Sequence, residues 1–152
     1  MPVTKSRRTA YHEAGHALIA YLEGVETEKV STVPGEDSFG AYEGIHRKAS
    51  EVELDDGHEF TDETAAKHMR ITAAGAEAER LVFGGGELEG RDFDTLADLA
   101  VRHPQIDQEE MMDQVLEMLR SNRKALDRLA ESLLERGTLS GDEMEALLRK
   151  HC

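Results

Sequence analysis

Apolar residues recur at helical spacing over the first two dozen positions. Ala10, Ala14, Ala17, Leu18 and Tyr21 share one stripe, Thr4 or Ser6 offers a cap and Gly24 a stop, which predicts an amphipathic helix. The pattern then shortens. Positions 28–33 and 39–45 read as two strands of a hairpin turning at Pro34-Gly35. Positions 50–54 alternate like a third strand before the turn Asp55-Asp56-Gly57-His58.

Helical periodicity returns after Thr61, which caps a helix over 62–83 that Gly84-Gly85-Gly86 stops. Ala65, Met69, Ala73, Ala76 and Arg80 share its stripe, with Thr72 and Phe83 beside it. The run 73–78 is nearly all small residues, a surface suited to close packing against the first helix. A loop at 90–94 opens a helix to about Arg102, which His103-Pro104 ends. Two helical segments follow, 107–120 and 122–136, separate or continuous, with Val115, Met118, Leu119, Leu126, Leu129, Leu133 and Leu134 as their apolar face. Gly137 is a stop, and Ser140 with Glu143 forms a capping box for a last helix to 150. Without repeats or a low-complexity linker, the chain reads as one domain over 1–152, α+β and mostly helical with a small sheet. Its parts are 1–102 and the C-terminal helices of 103–152.

The first helix carries the candidate chemistry, His12-Glu13-Ala14-Gly15-His16. Residues i and i+4 lie on one helix face, so His12 and His16 can bind one metal ion while Glu13 reaches a water on it. On a helical wheel the two histidines oppose Ala14 and Leu18, so one side can pack in the core and the other line a cleft. The bland reading is a helix with two solvated histidines. Gly15 and Ala14 weigh against it, because their small size lets another segment approach closely.

Composition narrows the rest. The chain has 152 residues, 39% of them hydrophobic and none Trp, so its core must be mainly Leu, Val, Ala and Met. A net charge of -14 argues against nucleic acid and against an anionic membrane surface. No apolar run approaches the roughly 18–20 residues of a membrane span. The first residues lack the apolar core of a signal peptide. Cys152 is the only cysteine, so no intrachain disulfide forms and any metal is held by His and carboxylates; cytoplasmic placement is the expectation. No phosphate-binding loop is present, since Gly84-Gly85-Gly86 runs into Glu87 rather than a lysine.

A catalytic zinc site needs a third protein ligand and an open position for water. His46, His58, His68, His103, His151 and 32 carboxylates are available, and composition and spacing do not choose among them. These five histidines otherwise read as solvated or loop residues. Glu79 is a candidate to orient a metal-bound histidine, against the plainer reading of a solvated helix residue.

Most of the chain resembles the zinc peptidase domain of the FtsH-type membrane AAA proteases. Tyr11-His12-Glu13-Ala14-Gly15-His16-Ala17-Leu18 is similar to that family's metal helix. Lys29-Val30-Ser31-Thr32-Val33-Pro34 and Phe39-Gly40-Ala41-Tyr42 resemble its next two strands, 75–84 its following helix, and 122–148 its closing helices. The resemblance implies a zincin-like metal helix and a zinc-dependent metalloendopeptidase acting on proteins or unfolded peptides. His12 and His16 would be ligands and Glu13 the catalytic base. An Asp completes the family's site at the end of a Gly-x-x-x-Asp segment. Gly90-Arg91-Asp92-Phe93-Asp94 stands in that place, so Asp94 is the expected third ligand, against a plain helix-capping role. The strand 30–33 or 39–42 could bind an extended peptide along its edge.

The likeness covers the peptidase half only, without ATPase module or membrane segment. A separate ATPase partner and a homo-oligomer are therefore expectations. The stretch 102–107 is much shorter than the family's mobile region, and the family's Arg after Gly75 is missing. The alternative function is a non-catalytic zinc-binding or protein-interaction module.

Overall fold

The computed structural model describes residues 5–32, 45–47, 61–85, 88 and 90–152. Its elements are α1 (Lys5–Leu22), β1 (Thr27–Ser31), β2 (Ile45–Arg47), α2 (Asp62–Phe83), α3 (Gly90–Arg102), α4 (Gln108–Ser121), α5 (Arg123–Arg136), β3 (Thr138–Ser140) and α6 (Gly141–His151). The fold is α+β and mostly helical, as its hydrophobic patterning predicts. No helix among the described residues is long and apolar enough to cross a membrane.

α1 and α2 form the heart of the molecule. Ala10, Ala14, Ala17 and Leu18 are fully buried, and so is α2 from Ile71 through Ala78. The two helices approach at their smallest residues. A Cβ on Gly15 would lie 2.6 Å from the Ala74 carbonyl oxygen and 2.7 Å from Ala78 Cβ, so this contact requires glycine. α2 is buried nearly all round in its middle because α3 and α4 cover the faces that α1 leaves. α5 and α6 close the other side of α1, where Leu126, Leu129, Leu133 and Leu148 join its core. Each such leucine contributes roughly 1.5–3 kcal/mol of apolar burial. A smaller cluster of Ala65, Met69, Leu96, Leu99 and Met111 ties α3 and α4 to the start of α2.

The caps match the local chemistry. Thr61 accepts from Thr64 N–H, and Gly84, at φ +83, closes α2 onto the Arg80 carbonyl. Ser140 and Glu143 form the expected reciprocal capping box. Ser6 lies within α1 rather than capping it, and Thr4 falls outside the described residues. α4 and α5 are separate helices. Asn122 leaves the helical conformation between them, and its side chain donates to the Met118 carbonyl at 2.9 Å.

The sheet pairs its first two strands antiparallel, as in the expected hairpin, and adds a third. Its order is β2-β1-β3, with β1 antiparallel to both neighbours. β1 covers most of the expected 28–33 strand. Of the expected 39–45 strand only Ile45 is described, as the first residue of β2; 50–54 falls outside the described residues. β3 is an addition to the expected elements, because three residues between a glycine stop and a helix cap are too few to show alternation. It pairs Val30 with Leu139 and fills the flank of β1 opposite β2. Both sides of β1 are thus occupied, which removes it as a free edge for an extended peptide.

Candidate metal centre

Because α1 is regular across this stretch, His12 and His16 stand one turn apart on one face. Their rings meet edge to face, centroids 4.6 Å apart and planes at 83°. The two Nε2 atoms are 3.0 Å apart. Gly75 of α2 makes the room: a Cβ there would lie 2.6 Å from both Nε2 atoms.

The third group comes from α3. Gly90, at φ +53, turns the chain into the helix, and Asp92 follows in its first turn. The partial positive charge of a helix N-terminus favours an acidic residue here. Asp92 Oδ2 lies 3.0 Å from His12 Nε2 and 3.1 Å from His16 Nε2. The residue is 3% exposed, and its Oδ1 is buried with no hydrogen-bond partner among the described residues.

The far nitrogens of both imidazoles are committed. His16 Nδ1 lies 2.6 Å from the Ile71 carbonyl oxygen, which only accepts, so this nitrogen carries a proton. His12 Nδ1 donates to Glu79 Oε2 at 2.8 Å. In the neutral tautomer each Nε2 then presents a lone pair, and both lone pairs face the Asp92 carboxylate. Three acceptors this close repel one another unless a positive charge sits among them. Ligand atoms about 2.0–2.1 Å from a tetrahedral zinc ion are about 3.3 Å from each other. The 3.0–3.1 Å separations here are near that, and two imidazoles with one carboxylate suit a divalent ion of this type. His12, His16 and Asp92 therefore fit a metal, and are the group that could hold one among the described residues.

A proton on an imidazole is the other way to supply that positive charge. Burial disfavours a charged His12, but hydrogen bonds to Asp92 and Glu79 and the nearby Glu13 charge outweigh it and push its pKa up to about 10. Burial likewise disfavours a charged Asp92, yet the His16 charge and the hydrogen bonds from both histidines hold its carboxyl well below the usual range. A site that stabilises cationic charge this strongly favours a divalent ion by the same attraction. Glu13, 5% exposed, is the buried acid adjoining His12 in the chain.

Asp94 is not at this point. It is exposed, and the aspartate brought to the histidines is Asp92, two residues earlier. Two residues turn a helix by about 200°, so the two side chains leave nearly opposite faces. The signal lies in the periodicity: Asp92, Leu96, Leu99 and His103 follow i, i+4, i+7, i+11, and all four are buried. An aspartate in phase with an apolar stripe points inward. Glu79 meets His12 as its candidate role requires. His68 and His103 correct the reading of solvated histidines. His68 is buried in α2, and the buried His103 holds Asp62 at 2.7 Å through Nδ1. His151 is half-buried, while His58 falls outside the described residues.

No family model matches the chain. Among curated proteins it is 30% identical to the ATP-dependent zinc metalloprotease FtsH of Thermus thermophilus, over 93% of this chain and 29% of the relative. It is 26% identical to the ATP-dependent zinc metalloprotease FtsH 4 of Sorangium cellulosum, over 95% of this chain and 29% of the relative. It is 30% identical to the FtsH 2 of Sphaerobacter thermophilus, over 93% of this chain and 26% of the relative. The chain spans less than a third of the length of these relatives. Nearly all of this chain is thus similar to one region of the FtsH-type ATP-dependent zinc metalloproteases.

Proposed function

We propose that the chain is a zinc-dependent peptidase domain that hydrolyses peptide bonds of proteins or unfolded peptides. The carrying observation is the convergence of His12 Nε2, His16 Nε2 and Asp92 Oδ2 on one point. Those three residues would hold the metal, with Asp92 in the place given by sequence to Asp94. A zinc ion bound there supplies Lewis acidity and makes water acidic enough to act as a nucleophile near neutral pH.

The chain's own groups do the rest. The Glu13 carboxylate accepts the proton of the attacking water and returns it to the departing amine nitrogen. Glu79 and the Ile71 carbonyl hold the Nδ1 protons of His12 and His16, which keeps both Nε2 lone pairs directed at the metal. Both imidazoles are thus fixed on their outer side. The relatives, named as ATP-dependent zinc metalloproteases, support zinc, proteolysis and coupling to ATP. An ATP-driven partner that delivers unfolded polypeptide, and a homo-oligomeric assembly, complete this reading. The single cysteine, Cys152, fits a cytoplasmic setting.

Metal analysis combined with casein cleavage tests the proposal. The expected result is one zinc per chain and cleavage that stops with chelator and returns with zinc. One zinc with no cleavage of casein or of unfolded peptides would replace it with a non-catalytic metal-binding or interaction module.

A further inference from the structure

The Glu79 carboxylate has two sides, and both are used. Oε2 accepts from His12 Nδ1 at 2.8 Å, while Arg8 Nη1 lies 3.4 Å from Oε1. Arg8 stands one turn before His12 on α1, so the two side chains reach α2 from the same helix face. The same Arg8 nitrogen donates to the Gly85 carbonyl at 2.9 Å, just past the end of α2. Its guanidinium also sits over the Phe83 ring, 5.0 Å from the centroid. Glu79 is thereby clamped between a metal-facing histidine and a cation that is itself anchored at two further points.

We propose that Arg8 is a positioning residue for the metal centre, acting through Glu79 on His12. This rests on the reading of His12 as a ligand. Arg8 reaches Glu79, Gly85 and Phe83 rather than the three converging atoms. Its effect is to hold the Glu79 carboxylate in the rotamer that receives the His12 proton, and so to fix the ring that presents Nε2. The guanidinium suits this better than an ammonium would, because it can meet Glu79 and Gly85 while its central carbon lies over the Phe83 ring. The pair is half-exposed, with Arg8 39% and Glu79 17% accessible, so its influence is modest and salt-dependent.

The test is a double-mutant cycle read as zinc affinity, by competition with a chromophoric chelator. Removing a carboxylate that orients a ligand typically weakens metal binding about 10–100-fold. Glu79→Gln should fall in that range, and Arg8→Met should weaken binding about fivefold at low salt, a gap that closes as salt is added. In the Glu79→Gln background, Arg8→Met should change affinity by less than about twofold. Arg8→Lys should recover only part of the loss. An Arg8→Met loss of equal size in the wild-type and Glu79→Gln backgrounds would overturn the inference, as would wild-type affinity in Arg8→Met at low salt. Thermal stability of the metal-free proteins is measured alongside, because a merely structural role lowers it equally in both backgrounds. His12→Ala separates the two proposals: if zinc affinity survives that change the metal reading itself fails, whereas its loss beside an unaffected Arg8→Met sinks the Arg8 inference alone.

Discussion

Gly75 and His16 stand so close that a single methyl group would disturb the site: a Cβ on Gly75 would fall 2.6 Å from His16 Nε2. It would fall equally close to His12 Nε2. Gly75→Ala should therefore push both imidazoles off the common point. Overpacking of this kind costs about 1–3 kcal/mol. We expect at least a tenfold loss of zinc affinity in a protein that still folds, checked by metal competition and thermal melting. Unaltered affinity in a folded Gly75→Ala protein would refute the close approach.

Asp92 and Asp94 separate cleanly by mutation. Asp92→Asn removes a charged group at the convergence and should lower zinc affinity by about a hundredfold or more. Asp94→Asn alters an exposed carboxylate and should shift stability by less than about 0.5 kcal/mol with affinity unchanged. Isothermal titration of both variants with zinc decides it, and the reverse ranking would restore Asp94 as the ligand.

Glu13→Gln keeps the size of the side chain and removes its ability to take a proton. Zinc content should be retained while peptide cleavage falls by about 10²–10⁴-fold. Peptidase activity within a factor of two of the unmutated chain would exclude Glu13 as the base.

Metal removal should also be visible in stability. A ligand that binds only the folded state stabilises it by about 2.7 kcal/mol at a hundred times its Kd. Chelator should lower the melting temperature, and zinc should restore it in a concentration-dependent way. Asp92→Asn should show little of either response.

Glu77 gives a pH dependence of its own. It is a buried acid on α2, and burial raises its pKa, an effect that the Arg80 charge 3.8 Å away only partly offsets. The folded state therefore holds this proton more tightly than the unfolded chain. Its stabilising contribution is complete below the ordinary value of 4.5 and is lost as pH rises through the folded value. Glu77→Gln should raise the melting temperature at pH 7 to 8 and flatten its decline above pH 5. A lower melting temperature at pH 8 would contradict this.

Much of the architecture is legible in the pattern of the chain, for reasons visible residue by residue. α2, α3 and α6 are bounded by local signals that act within a turn: the Thr61 cap, the Gly84 stop, His103-Pro104 and the Ser140 capping box. Helix geometry alone places His12 and His16 on one face. The aspartate that meets the histidines stands two positions before the expected Asp94, because matching a family segment ignores the phase of the helix in which it lies. β3 is illegible because its pairing with β1 is set by tertiary contact, more than a hundred residues away in sequence. His103 reads as solvated because its partner, Asp62, is 41 positions distant.

β1 has a further consequence for how the protein is made. Its partner on one side, Thr138–Ser140, is synthesised long after it, and Gly141 packs against the Thr27 carbonyl so tightly that no Cβ fits between them. Tyr11, directly before His12, likewise waits for Asp127, to which its hydroxyl donates at 2.7 Å. The histidine-bearing helix is thus synthesised before several of the segments that enclose it. Its imidazole face can meet α2 and α3 as soon as those are made, while its apolar face stays open until α5 and α6 follow, so the core around α1 closes only with those helices.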